Sequence, residues 1–553
     1  MTNIDFIKIL PYHILNFIFE KCPLRDLIRY TRVSKTWRSF LLSWPGLFHD
    51  LSDRLLNIPR DLIHYEPYFD GNYVRTVHIL GRSKEEQEHI LSFLIQHDCS
   101  LIEYIRIICD TTKITQLGHL FKTTGSSLKR LHVYSSGTHC ILPMILNSCT
   151  NLKELHFSHS AESFRTLSSK DLQLENIRPT STIQQLSLDI LIPLPLLKNT
   201  LRLFPYLKRI DLNALAVEDV GGLILKCLHT VCSNLEHVQV DGEHTTLATT
   251  VTRIKIAKKE EAEEEEEKNL TIGGGGWRVL ILGQISGLND TQVAPLLQKR
   301  GKTLEAIHIV ACEDLGDATF STLAMIGCPN LQYLCLRLNY FMYEEAKSAN
   351  YWPIHFQPKD LCKIIRQAPL LEEVNFSYLD NITDGVLDAL ADLKNLMELE
   401  IGYCENVTTK GLCRFIYQQH NVNENNNDNG DHSTIAAQGA SMNQQGQRAR
   451  QELKSLHLLG MKGVTDQVLY AIAQSKDTQA LKSLDLGNNE QITETGLKTL
   501  VDRFSKTNTL KWLGINHCTK IHSNAYEYAC QHLNNTNIYR TNMKLGYNIS
   551  LSR

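Results

Sequence analysis

Along most of the chain one spacing of apolar residues recurs: an apolar position, two variable ones, a second apolar position, one variable, then a third. Clear copies are Leu304 to Ile309, Leu331 to Leu336, Leu453 to Leu458, Leu481 to Leu486 and Leu510 to Ile515. The same frame opens at Val74, Ile102, Leu128, Leu152, Ile183, Leu207, Leu235, Trp277, Leu371 and Leu396, making fifteen copies. Most starts fall near 27 residues apart. Alternating apolar residues in a short run predict a strand with one buried side. Each strand precedes a stretch with helical spacing, such as Val386, Leu387 and Leu390, or Leu497, Leu500 and Val501. The Thr-Asp or Thr-Glu pairs before these stretches predict helix N-caps. One strand and one helix cannot bury their own apolar faces, so the copies must stack.

Three intervals are too long for one repeat. The first insertion, 242–276, holds a Glu-rich run (seven Glu and three Lys between Lys258 and Lys268) and then four glycines. Residues 251–256 within it are compatible with an extra strand. The second, 339–360, is aromatic, with Tyr340, Phe341, Tyr343, Tyr351, Trp352 and Phe356. The third, 418–451, is rich in Asn and Gln and is expected to be disordered.

Before Val74 the period is helical. Ile14, Leu15, Ile18 and Phe19 mark one helix, Leu24, Leu27 and Ile28 a second, and Val33, Trp37, Phe40 and Leu41 a third. Three helices in so few residues make a marginal core, and such a module usually needs a partner to cover apolar surface.

Composition removes several function classes. The net charge of −3 is carried by the Glu-rich run, and the rest is close to neutral. No global attraction to nucleic acid or anionic membrane is expected. Fifteen cysteines, none in a CxxC pair, argue against a disulfide framework or a thiolate zinc site. No run is long and apolar enough to span a membrane, and the N-terminus lacks the order of a signal peptide. A soluble, intracellular protein in a reducing compartment, cytoplasm or nucleus, is expected. Metalloprotease, nucleophile-elbow, P-loop and dinucleotide signatures are absent, so neither catalytic residues nor a cofactor is expected.

The N-terminal blocks resemble a known module. Leu10-Pro11 through Leu15, Val33 through Arg38, and Trp44 through Phe48 are similar, in order and spacing, to the three blocks of an F-box, although His13 stands where an acidic residue is usual. The repeats resemble the cysteine-containing leucine-rich repeats: Cys312, Cys404, Cys518 and Asn489 recur eight residues after a start. Together they resemble the F-box/leucine-rich-repeat proteins. The resemblance implies an α/β architecture: a three-helix F-box at 8–51, a linker at 52–73, repeats over 74–535, and a cap or tail at 536–553. The repeats would form a horseshoe solenoid with a parallel concave sheet and outer helices. It further implies that the F-box docks on a Skp-type adaptor, and through it on a cullin and RING subunit, while the repeats hold a protein substrate for ubiquitination and proteasomal degradation. The other use of the same architecture is an interaction scaffold without ubiquitin transfer.

Carried onto this chain, the adaptor-facing candidates are Leu10, Pro11, Ile14, Leu15, Val33 and Trp37. The variable positions of each strand should point into the concavity. The candidates for substrate contact there are Tyr104, Arg130, Arg209, Tyr333, Arg337, Trp512 and Asn516, because Trp, Tyr and Arg dominate interface hot spots. Arg130 and Arg209 would favour a phosphorylated or acidic segment. The central position carries histidine five times, at His78, His132, His156, His308 and His457. His132 and His156 fall in adjacent copies, but no third ligand completes a metal site.

Overall fold

The computed structural model describes residues 5–52, 65–80, 84–110, 114–137, 139–160, 172, 177–180, 182–213, 221–241, 276–285, 287–312, 314–338, 340–349, 356–417 and 452–540. The insertion at 418–451, and that at 242–276 save Gly276, lie outside them, as do residues 251–256 and the Glu-rich run. The chain divides into two compact units, Met1–Gly275 and Gly276–Arg553.

The first unit opens with four α-helices, one more than the sequence pattern predicts: α1 (Phe6–Ile9), α2 (Tyr12–Glu20), α3 (Leu24–Tyr30) and α4 (Lys35–Ser43). The added turn exists because Asp5 caps it, accepting from the Ile7 N–H, and also accepts from Trp37 Nε1 at 3.2 Å. Pro11 and Pro23 precede α2 and α3, where a missing N–H costs nothing. Leu15, Phe19, Leu24, Leu27, Leu41, Trp44, Leu47 and Phe48 form the core.

A parallel ladder follows: β1 (Asp50–Leu51), β2 (Thr76–Ile79), β3 (Tyr104–Asp110), β4 (Arg130–Ser136), β5 (Glu154–Ser160), β6 (Gln185–Asp189), β7 (Arg209–Asn213) and β8 (His237–Asp241). The second unit carries another: β9 (Val279–Gly283), β10 (Ala306–Val310), β11 (Tyr333–Arg337), β12 (Glu373–Asn375), β13 (Glu398–Glu400), β14 (Ser455–His457), β15 (Ser483–Asp485), β16 (Trp512–Gly514) and β17 (Asn537–Tyr539). All fifteen frames read from the sequence become strands, each beginning two residues after its first apolar position. Those apolar positions form the core, as with Leu128, Leu131 and Val133, or Leu481, Leu484 and Leu486. Strands β1 and β17 extend the ladders beyond the frames, β17 within the segment read as a cap or tail. The architecture is α/β: a helical module followed by stacked strand–helix repeats with parallel strands.

Two features of the second unit are regular at the level of single side chains. The three expected Thr caps are in place, but only one makes the cap bond. Thr383 and Thr465 occupy N-cap positions but make no side-chain cap bond, whereas Thr493 does. The aspartate after them reaches forward instead. Asp384 accepts from the Thr408 N–H and hydroxyl, and Asp466 from those of Thr493. Asp290 does the same for Gly316 and Thr319. An acceptor in one repeat thus satisfies the open N–H groups at the start of the next helix. A Cβ at Gly411 or Gly496 would strike the carboxylates of Asp384 or Asp466, so these close approaches require glycine.

The second feature is the turn after every framed strand except β11. Seven residues after the frame start, Gln284, Ala311, Tyr378, Tyr403, Gly460, Asn488 and His517 all have positive φ. One residue on lies the cysteine column. Cys404 Sγ donates to the Phe376 carbonyl and Cys518 Sγ to that of Leu486, both at 3.1 Å; Asn489 Nδ2 donates to Leu458 at 2.8 Å. Each acceptor is the third apolar residue of the preceding copy. Burial pushes the Cys404 thiol up to about 12 and Cys518 up to about 11, which marks them as packing groups, not nucleophiles.

Candidate functional site

The helical module places its apolar residues in two environments. Leu15 is 2% exposed, so the sequence-based assignment of this residue to the adaptor contact is corrected: its position on the inner side of α2 makes it core. Trp37 is half-buried, set by its bond to Asp5 and by an edge contact with Phe6 at 4.8 Å. Leu10 is half-buried, and Pro11, Ile14 and Val33 are exposed. Sequence reasoning missed Ile9, Tyr12, Phe17 and Ile18, all exposed, with Phe17 at 64%. The signal was available, since α2 has apolar residues on more of its circumference than one core-facing stripe requires. So many large apolar side chains turned to solvent within residues 9–33 mark an interaction surface.

The sheet face of the first unit begins with a basic and aromatic cluster. Arg130 lies over the Tyr104 ring at 4.8 Å, and Arg106 over Tyr134 at 5.5 Å. The Tyr104 hydroxyl meets His132 Nδ1 at 3.3 Å, and His132 Nε2 is 2.9 Å from Glu154. The rings of His132 and His156 are neighbours, 5.4 Å between centroids. Burial, reinforced by His132, lowers His156 to about 4, so its ring is neutral. The hydrogen bond from His132 holds the Glu154 carboxyl below the usual range. Arg209 is not free for a partner. It donates from Nε and Nη2 to Asp211, and His237 approaches the same carboxylate at 3.4 Å. Burial works against the Asp211 charge, yet the His237 hydrogen bond and Arg209 hold its carboxyl low.

In the second unit the aromatic insertion covers part of the sheet face. The helix Tyr340–Ala349 sets Met342 against a buried cluster of Val310, Ala311 and Cys335, with Tyr333 alongside. Tyr343 packs on the rings of Tyr378 and Tyr403, which stack on each other at 4.9 Å. Its hydroxyl donates to Glu405 at 2.8 Å, and Glu405 also binds Lys347 and Lys462. These two lysines hold the Glu405 carboxyl down to about 2. The expectation that the central positions open into the concavity is corrected at Gln239, Ile281, His308 and Cys335, which are buried, Cys335 beneath Met342. Burial, helped by Arg337, lowers His308 to about 3. Tyr333, 3.5 Å from His308 Nδ1, is half-buried, as is Arg337, whose Nε is unpaired. Trp512 and Asn516 stay half-exposed beyond the covered strands, Trp512 beside His457 at 5.9 Å.

Among the described residues no three His, Cys, Asp or Glu side chains form a metal-ligand group, and no helix is long and apolar enough to cross a membrane.

Residues 7–48 match the family model of the F-box domain. The chain thus carries an F-box domain followed by the repeat ladders described above. It is similar to an F-box/LRR-repeat protein of Arabidopsis thaliana, with 25% identity over 199 residues, 34% of this chain and 42% of the relative. The match thus spans less than half the length of that curated protein. Among solved structures, a chain of the Rad7 and Elc1 complex in yeast overlays with a TM-score of 0.40 at 13% identity, covering 96% of this chain and 97% of that one. A chain of the TLR13–ssRNA13 complex overlays at 0.38 and 12% identity, covering 77% and 50%.

Proposed function

We propose that the chain is the substrate-receptor subunit of a cullin-type ubiquitin ligase, inside the cell. The F-box docks on a Skp-type adaptor, which links it to a cullin and RING subunit. The repeats hold the protein to be ubiquitinated. The supporting observation is the exposed set Ile9, Tyr12, Ile14, Phe17, Ile18 and Val33 on a module that matches the F-box. Burying such side chains gives about 25 cal/mol per Å², concentrated in a few large residues.

The mechanism is proximity. Holding a substrate near a ubiquitin-charged enzyme raises its effective concentration without bond chemistry in this subunit.

Affinity capture of the full chain and of its Phe17→Ala/Val33→Ala variant, read by mass spectrometry, tests the proposal. Adaptor and cullin should accompany the parent and be lost from the variant. Adaptor without cullin would favour a scaffold, and neither protein on the parent would remove the proposal.

A further inference from the structure

The seat that receives Tyr343 is built by the repeats, not by the insertion that fills it. It consists of Tyr378 and Tyr403, whose rings stack 4.9 Å apart and within 14° of parallel, and Tyr343 packs on both at 5.4 Å. Their φ values are 66° and 59°, in a turn column where Gly460 and Asn488 take the same conformation more easily. A bulky residue in the left-handed region is strained and persists only where its surroundings hold it. Here the repeats do so. The Tyr378 N–H donates to the Gly402 carbonyl at 2.8 Å, and the Tyr403 N–H to that of Leu459 at 2.7 Å. Asn488 Nδ2 donates to the Tyr403 hydroxyl at 2.7 Å. A Cβ at Gly460 would lie 2.5 Å from the Tyr403 ring, so that glycine makes room for it. None of these contacts comes from the helix Tyr340–Ala349, so the seat is formed in advance of its occupant.

Glu405 completes the seat with a second level of recognition. It accepts from the Tyr343 hydroxyl and pairs with Lys347, four residues on and on the same side of the helix. Lys462, which belongs to the repeats, pairs with the same carboxylate and would keep it matched when the helix leaves. Just before the tyrosine, Met342 covers the apolar cluster of Val310, Ala311 and Cys335. Glu344, Glu345 and Ser348 face solvent and take no part. The occupant is therefore recognised by three features: an apolar residue, the tyrosine after it, and a lysine four positions further. Its ionic contacts are largely exposed, and such pairs hold weakly.

We infer that Tyr378, Tyr403 and Glu405 form a docking site for a helix of the pattern apolar-Tyr-x-x-x-Lys, that the chain's own helix is its resident occupant, and that a partner protein carrying this pattern binds by displacing it. The site stands apart from the F-box and does not rest on the receptor reading.

The probe is a fluorescent peptide of residues 340–349, closed by a lactam between Glu344 and the lysine of a Ser348→Lys change, both on its exposed side, so that it enters as a helix. In the full chain Tyr343→Ala empties the seat. This variant should bind the peptide at least about tenfold more tightly than the parent, whose tethered helix competes at an effective concentration of about millimolar. A Tyr343→Phe change in the peptide, or Glu405→Gln added to the Tyr343→Ala chain, should each weaken binding about tenfold, the loss of one charge-assisted hydrogen bond. Should Tyr343→Ala melt early, Tyr343→Phe/Lys347→Gln in the chain keeps the volume, gives up both bonds to Glu405 and serves in its place. Equal binding by the parent and the emptied chain would overturn the inference. So would binding that ignores both the peptide's tyrosine hydroxyl and Glu405. The adaptor takes no part in this measurement, so its failure would leave the receptor reading untouched.

Discussion

Asp466 accepts hydrogen bonds from both the backbone N–H and the hydroxyl of Thr493, 27 residues further along the chain, at 2.7 and 2.6 Å. The bond joins the start of one repeat helix to the start of the next. Glycine at 496 leaves the space the carboxylate occupies. Because a repeat array draws its stability from nearest-neighbour contacts, such a link acts between repeats and not only within one helix.

Asp466→Ala should therefore destabilise the second unit by about 1–3 kcal/mol, the cost of a lost cap and an unsatisfied donor. Gly496→Ala should cost a similar amount by pushing the carboxylate away. Denaturant melts of the full chain check both. If Asp466→Ala leaves the transition unmoved, water replaces the carboxylate at no cost.

How much of this was legible follows from where each constraint resides. The strand positions were readable because stacking demands the same three apolar residues in every copy, from Val74 to Leu510. The Asp466–Thr493 link was not, because a Thr-Asp pair looks like a local cap until the next repeat is set beside it. The left-handed turn column was partly visible in Gly460 and Asn488, but Tyr378 and Tyr403 gave no hint of it. The pairing of Arg209 could have been found, since Asp211 lies two residues on, on the same side of the same strand. Burial of Cys335 could not, because the helix that covers it belongs to an insertion without a repeat frame.

The two apolar environments in the F-box should separate by mutation. Leu15→Ala empties a core position and should cost about 2–5 kcal/mol, whereas Phe17→Ala should change stability by no more than about 0.5 kcal/mol. Both should reduce adaptor capture, but only Leu15→Ala should speed limited proteolysis of the first fifty residues. Rapid proteolysis of both would mean that Phe17 supports the fold.

Two buried histidines make stability depend on pH. His156 is lowered from 6.5 to about 4 and His308 from 6.5 to about 3, both mainly by burial. The unfolded chain takes up these protons near 6.5 and the folded chain resists until about 4 or 3. Across that window the unfolded state binds more protons, so stability is full above about 6.5 and falls as the pH drops. Denaturant midpoints between pH 7 and 5 should fall less steeply in His156→Gln and in His308→Gln than in the parent. Parallel slopes would show that these rings accept protons without unfolding.

The helix Tyr340–Ala349 is tied down chiefly through one carboxylate. Glu405 accepts from Tyr343 and Lys347 on the helix and from Lys462 on the repeats, and its carboxyl, held to about 2, is charged at neutral pH. Glu405→Gln keeps the shape and removes the charge. Charge-assisted bonds are worth roughly 1.5–3 kcal/mol, and the partial exposure of Lys347 and Lys462 argues for the low end. The open population should then rise about tenfold. Cys335, 1% exposed beneath Met342 and with its thiol raised to about 12, reports the opening. Its alkylation by iodoacetamide, followed by peptide mass spectrometry, should quicken about tenfold in the variant. Cys404 and Cys312, buried in the turn column, should not change. If Cys335 stays protected, the packing of Met342 and of Tyr343 on Tyr378 and Tyr403 holds the helix without the carboxylate, and the covered strands are closed to any partner.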